Sequence, residues 1–175
     1  MTNPGSILYS PKEAVNTEIQ GTVTSREQEW LPILTIAAQE VFEIMIGSTL
    51  GTAAQSDAPS GQNFTAMVGL AGSVRGVVTF FCGAQSARQI AVLMLGPEVT
   101  CSEGQVCDAI GEICNMVAGN FKNKLIGLDK PCLLSVPAVV TGRAYRFHSL
   151  AGGESLQTVL TLDGQPLVIR LDIHA

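Results

Sequence analysis

Apolar positions first fall into a helical rhythm after residue 25. Ile33, Ile36, Ala37, Val41, Ile44 and Met45 share one face, so the spacing predicts a helix over 25–46, with Pro32 in its first turn and Gly47 ending it. The pattern then shortens toward period two, predicting extended segments at 48–55, 63–70 and 74–82, the last two joined as a hairpin at Gly72-Ser73. Helical spacing returns over 84–95 and stops at Gly96-Pro97. Ser102 and Gln105 form a capping-box pattern for a further helix, which continues through Val106, Ile110, Ile113 and Val117 toward Leu125. Three more strands are predicted at 132–141, 156–162 and 167–173, with Asp163-Gly164 as the turn between the last two.

The predicted order is helix, three strands, helix, helix, three strands, an α+β arrangement that hints at duplication. An offset of 72 residues lays Gly47 on Gly119, Glu40 on Glu112 and Glu43 on Asn115. Two amphipathic helices that end in glycine also align this far by chance, so the repeat is suggestive only.

Composition narrows the class. The 175 residues are 46% hydrophobic and 14% charged, enough apolar material for one compact domain, expected over 26–175. Residues 1–25 are rich in polar and turn-forming types and read as an N-terminal extension. A net charge of -5 offers no broad basic surface for nucleic acid. No leader pattern and no membrane-length apolar run occur, so the expectation is a cytoplasmic protein with no membrane partner. The five cysteines, Cys82, Cys101, Cys107, Cys114 and Cys132, include no CxxC pair and have only His148 and His174 to join them, so neither a metal site nor a disulfide is expected. The run Gly69–Gly76 fits neither dinucleotide nor Walker spacing and reads as a hairpin turn. His148, after Arg143, Tyr145 and Arg146, is expected on a surface loop.

Asp108, Glu112 and Asn115 stand at i, i+4 and i+7 of the second long helix, on one stripe roughly opposite the apolar stripe. Most such stripes are only the solvated face of an amphipathic helix. The surrounding residues add a second possibility. The stretch 108–125, with its Ala118-Gly119-Asn120-Phe121-Lys122 tail, resembles the phosphatase helix of the CheC, CheX and FliY family. That family's pattern of Asp or Ser, three residues, Glu, two residues, Asn, then about twenty-one residues to a Pro is met by Asp108, Glu112, Asn115 and Pro137. Because Glu40 and Glu43 stand where a second copy of the motif would lie, the resemblance is to CheX-like members with one site. A carboxylate lacks the amide donor of Asn.

The resemblance implies a CheC/CheX-like domain: pseudo-duplicated helix-plus-three-strand halves with long helices packed on a mainly antiparallel sheet. It further implies a hydrolase acting on the aspartyl phosphate of a CheY-like response-regulator receiver domain. Asn115 would orient the attacking water and Glu112 would anchor the receiver through a cation beside the phosphate. Asp108 would be a peripheral substrate contact or a plain surface charge, and Pro137 would shape the strand beside the site, its lack of an N–H pointing to an edge or bulge position. No cofactor of its own is implied, since the Mg2+ belongs to the partner receiver; a homodimer is. The competing reading is a non-catalytic module that docks on receivers or serves as a signalling scaffold.

Overall fold

The computed structural model describes residues 17–53, 62–97, 101–125, 131–143, 145 and 153–174. Helix α1 (Thr17–Val41) runs into a π-helical turn, Phe42–Ile46. The turn is closed by Gly47 at φ 70°, whose N–H bonds the Phe42 carbonyl. The turn buries Phe42 and Ile46 while Glu43, Ile44 and Met45 stay exposed. α1 starts eight residues before the expected Ser25. Pro32 therefore lies in the helix interior rather than its first turn, on an exposed side where the carbonyl it leaves unbonded can face water.

Seven strands follow: β1 (Gly51–Thr52), β2 (Gln62–Gly72), β3 (Gly76–Gly83), β4 (Cys132–Leu134), β5 (Ala138–Arg143), β6 (Ser155–Leu162) and β7 (Gln165–Ile173). α2 (Ala84–Leu95) and α3 (Glu103–Lys124) lie between β3 and β4. All pairings are antiparallel, in the order β1-β6-β7-β3-β2, with β4 and β5 both on the free side of β2. The predicted mainly antiparallel α+β architecture is therefore the observed one.

The order is palindromic in the two halves. Each half contributes a hairpin, β2-β3 or β6-β7, and the hairpins meet at β3 and β7. The first strand of each half leaves its own hairpin and pairs with the other's, β1 with β6 and β5 with β2. This exchange gives the duplicated pattern a pseudo-two-fold arrangement, and it makes neither half a closed unit. The Asp163-Gly164 turn has φ of 48° and 77°, the two left-handed residues that a two-residue hairpin requires.

Two predicted strands are altered. The segment 48–55 yields only the two-residue β1, with 54 and 55 outside the described residues. The segment 132–141 is split into β4 and β5. Leu134 faces Leu70 and Ala138 faces Met67, so three residues, 135–137, oppose two on β2. This is a β-bulge on an edge strand, at the proline that cannot donate to the ladder.

One face of the sheet carries Phe64, Ala66, Val68 and Leu70 from β2, Val78, Phe80 and Cys82 from β3, and Leu167, Ile169 and Leu171 from β7, all buried beneath the helices. α3 contributes Val106, Ile110, Ile113, Cys114, Val117 and Phe121 to this core, so its apolar stripe faces inward as predicted. Burial pushes the Cys82 and Cys114 thiols up to about 12, which leaves both as neutral packing groups. Among the described residues no group of His, Cys, Asp and Glu is placed to hold a metal, and no helix is long and apolar enough to cross a membrane.

Candidate functional site

α3 begins as its sequence directs. The Ser102 hydroxyl accepts from the Gln105 backbone N–H at 3.3 Å, and the Gln105 side-chain Oε1 accepts from the Ser102 backbone N–H at 2.9 Å. This capping box fixes the first turn and hence the rotation of all that follows. Asp108 and Glu112 are exposed and Asn115 is half-buried, one above another along the outer side of the helix. Among the described residues neither the Glu112 carboxylate nor the Asn115 amide has a hydrogen-bond or ion-pair partner.

What that stripe borders is set by how α3 lies on β4 and β5. At its start, the Thr141 hydroxyl donates to Glu103 Oε1 at 3.2 Å. Further along, a Cβ on Gly111 would meet Val139 Cγ2 at 3.3 Å and Pro137 Cβ at 3.4 Å. A Cβ on Gly119 would meet Leu134 Cδ1 at 3.8 Å. Near its end, Lys122 Nζ donates to the Cys132 carbonyl at 3.1 Å. Helix positions 103, 111, 119 and 122 thus match strand positions 141, 139 to 137, 134 and 132, so α3 runs antiparallel to the edge strand. Gly111, Asn115 and Gly119 are spaced by four and lie on one stripe, spanning about 12 Å at 1.5 Å per residue. Asn115 is midway between Gly111, over Pro137, and Gly119, over Leu134. Its amide is therefore at the height of the bulge 135–137.

The structure brings Pro137 to the helix beside Gly111, one residue before Glu112 and one turn before Asn115, whereas Asp108 stands a turn away toward the helix start. Gly111 and the bulge residues Ser135 and Val136 went unnoticed in the sequence. A glycine in the middle of a helix costs about 1 kcal/mol against alanine and is the signal that was available. His148 and Arg146 lie outside the described residues.

The position equivalent to Glu112 in the first half is occupied differently. Glu40 accepts from Asn120 Nδ2 at 2.9 Å and pairs with Lys124 Nζ at 2.7 Å, both on α3. The Lys124 hydrogen bond, helped by that of Asn120, holds the Glu40 carboxyl below its usual range against a smaller opposing effect of desolvation. Glu40 is thus a link between the two long helices.

A cavity of about 190 Å3 lies elsewhere, lined by Thr65, Thr79, Phe81, Tyr145, Gln157 and Arg170. All but Tyr145 are strand positions that alternate with the core residues and so lie on the sheet face away from the helices. The polar stripe on α3 does not line that cavity.

Similarity to known proteins bears on that surface. A 30% identical relative, the CheY-P phosphatase CheX of Thermotoga maritima, aligns over 84 residues, 47% of this chain and 54% of the relative. The match thus spans about half the length of that curated relative. Among solved structures, the chemotaxis protein CheX of Vibrio vulnificus superposes with a TM-score of 0.72 at 20% identity, covering 85% of this chain and 98% of that one. A chain of the CheX–CheY–BeF3–Mg2+ complex from Borrelia burgdorferi superposes with a TM-score of 0.67 at 20% identity, covering 84% and 99%. At these identities the structures speak to the fold. The sequence model of the chemotaxis phosphatase CheX matches residues 64–161, which take in β2, β3, α2, α3 and the bulged edge strand. With more than half of its length matched, the chain belongs to the CheX family.

Proposed function

We propose that the chain hydrolyses the aspartyl phosphate of a CheY-like receiver domain and that Asn115 and Glu112 carry the reaction. The observation that supports this most is the pairing of an amide and a carboxylate, both without partners among the described residues, on the outer side of a helix beside the bulged edge strand. Family membership supports the same reading, as does the name of the Thermotoga relative, a CheY-P phosphatase.

Phosphoryl transfer asks little covalent chemistry of a protein: an in-line nucleophile must be positioned and charge on the phosphoryl oxygens balanced. An amide suits the first task. Asn115 Oδ1 accepts from a water while Nδ2 donates toward a phosphoryl oxygen, fixing the water behind phosphorus. A P–O bond to the water forms as the bond to the receiver's aspartate oxygen breaks. The products are the free carboxylate and dihydrogen phosphate, which carries both of the water's protons. Glu112, one turn before Asn115, anchors the helix through a receiver cation beside the phosphate. Asp108 is a peripheral contact and Pro137 shapes the border of the site. The Mg2+ this chemistry uses belongs to the receiver. In this reading the protein works in the cytoplasm, as a homodimer.

The test is the lifetime of a phosphorylated receiver with and without the protein. Wild type shortens it. Asn115→Ala removes the acceleration, about 100-fold or more on the scale of losing one well-placed donor, while folding and receiver binding persist. Tight binding with no change of lifetime by the wild type would overturn the reading and leave a docking module.

A further inference from the structure

Three facts about the bulge fit together. The Ser135 N–H donates to the Gly69 carbonyl at 2.9 Å, and the Gly69 N–H donates back to Ser135 Oγ at 2.8 Å. A side-chain oxygen thus takes the place of a strand carbonyl in the ladder. The same hydroxyl donates to the Val136 carbonyl at 2.9 Å, folding the backbone of the extra residue against itself. Pro137 follows at once, with its ring seated on Gly111. Val136, at the apex, is 85% exposed.

A regular strand here would need a backbone carbonyl opposite Gly69. It would also set every residue from 135 onward one place out of register, turning side chains to the other face. The Ser135 hydroxyl satisfies Gly69 and leaves the extra residue free to bulge. Gly111 supplies the other half of the fit. With Val139 and Pro137 already at 3.3 and 3.4 Å from its ideal Cβ, even an alanine makes the helix and strand give way to one another by a few tenths of an ångström. Asn115 is one turn further along the same stripe.

We infer that Ser135 and Gly111 are positioning residues for the reaction. Ser135 locks the bulge that carries Pro137, Gly111 lets α3 settle onto it, and together they fix the height and tilt of Asn115 relative to an incoming phosphate. The inference rests on the phosphatase reading above. It assigns to neither residue a contact with the receiver. Their effect is on geometry, so it falls on turnover rather than on affinity.

The experiment follows a host CheY-type receiver charged with acetyl phosphate for turnover, and the same receiver loaded with beryllofluoride for affinity. Ser135→Ala and Gly111→Ala each lower kcat roughly 10- to 100-fold, as sub-ångström to ångström misplacement does, with affinity held within about twofold. Two further variants separate positioning from poor folding. Ser135→Thr keeps the hydroxyl and keeps turnover close to wild type. Gly111→Ala combined with Val139→Ala, which removes the methyl nearest the new Cβ, recovers most of the kcat lost by Gly111→Ala alone. Wild-type turnover in both alanine variants overturns the inference. So does a loss shared equally by affinity and kcat, or a Gly111→Ala defect that Val139→Ala does not relieve. If wild type itself leaves the receiver's lifetime unchanged, it is the phosphatase reading that falls.

Discussion

The two long helices began from one pattern and ended in different work. In α3, Glu112 and Asn115 stand free of partners among the described residues, beside an edge strand that is long enough to bulge. In α1, Glu40 is spent on Lys124 and Asn120, Glu43 stands where an amide would be needed, and the neighbouring edge strand β1 has two residues. The α1 end is moreover a π turn, which rotates residues 42–46 away from the register that α3 keeps. The contrast teaches that the motif is not a property of a helix alone. In the phosphatase reading proposed above, a usable site needs an uncommitted carboxylate and amide on one stripe, together with a strand shaped to leave room beside them. α3 offers both, whereas in α1 the carboxylate of Glu40 is a strut to α3.

The strut and the site share a helix, and the largest expected effect comes from loosening their common support. Phe121 is fully buried on α3, and its ring meets Trp30 of α1 edge-on at 6.1 Å between centroids. Phe121→Ala lowers unfolding free energy by about 3–5 kcal/mol in denaturant titration. A loss below about 1 kcal/mol, the scale of an ordinary exposed site, would mean α1 and α3 are not joined through this ring.

The next test touches the site side of the comparison. Glu112→Ala weakens binding of a beryllofluoride-loaded receiver by about tenfold or more, the worth of one charge-assisted hydrogen bond, with stability unchanged. Calorimetric titration showing undiminished affinity would remove Glu112 from the anchoring role.

Glu40→Gln acts on the strut, with a smaller effect whose sign pH reveals. Because the Glu40 carboxyl is held below its usual value of 4.5, its stabilisation is present above that value and is lost as pH falls through the depressed one. The variant is therefore slightly less stable than wild type at pH 7, and the gap closes in acid. A constant gap down to pH 3 would show that the Lys124 pair contributes nothing through charge.

The smallest effect expected is none. Adding Glu43→Asn to Asn115→Ala restores an amide at the aligned position of α1, yet receiver lifetime stays as in Asn115→Ala, because among the described residues no bulged strand serves that half and Glu40 is tied to Lys124 and Asn120. Recovery of turnover would break the comparison.

Much of the fold was legible because its signals are local. The α3 cap, the Gly47 stop, the Asp163-Gly164 turn and the span of α2 each depend on a few neighbouring residues and were read within a residue or two. The early start of α1, the interior place of Pro32 and the division of the last half's first strand were not. A proline tolerates a helix interior only where solvent takes its orphaned carbonyl, which its own segment does not encode; the missing N–H of Pro137 did mark an edge or bulge position, but which residues bulge is set by the partner strand.

For the candidate site, the sequence alone determined the chemistry on offer: a carboxylate and an amide three apart on the polar stripe of a capped helix, with a proline far downstream. Tertiary structure alone decided that Pro137 seats on Gly111, that Ser135 closes the bulge against Gly69, and that Asn115 stands level with it while Glu40 is tied down. Side-chain periodicity along a helix follows from the chain's own geometry and needs no partner. The height of that helix above an edge strand is set by contacts between residues dozens of positions apart, and only folding brings those together.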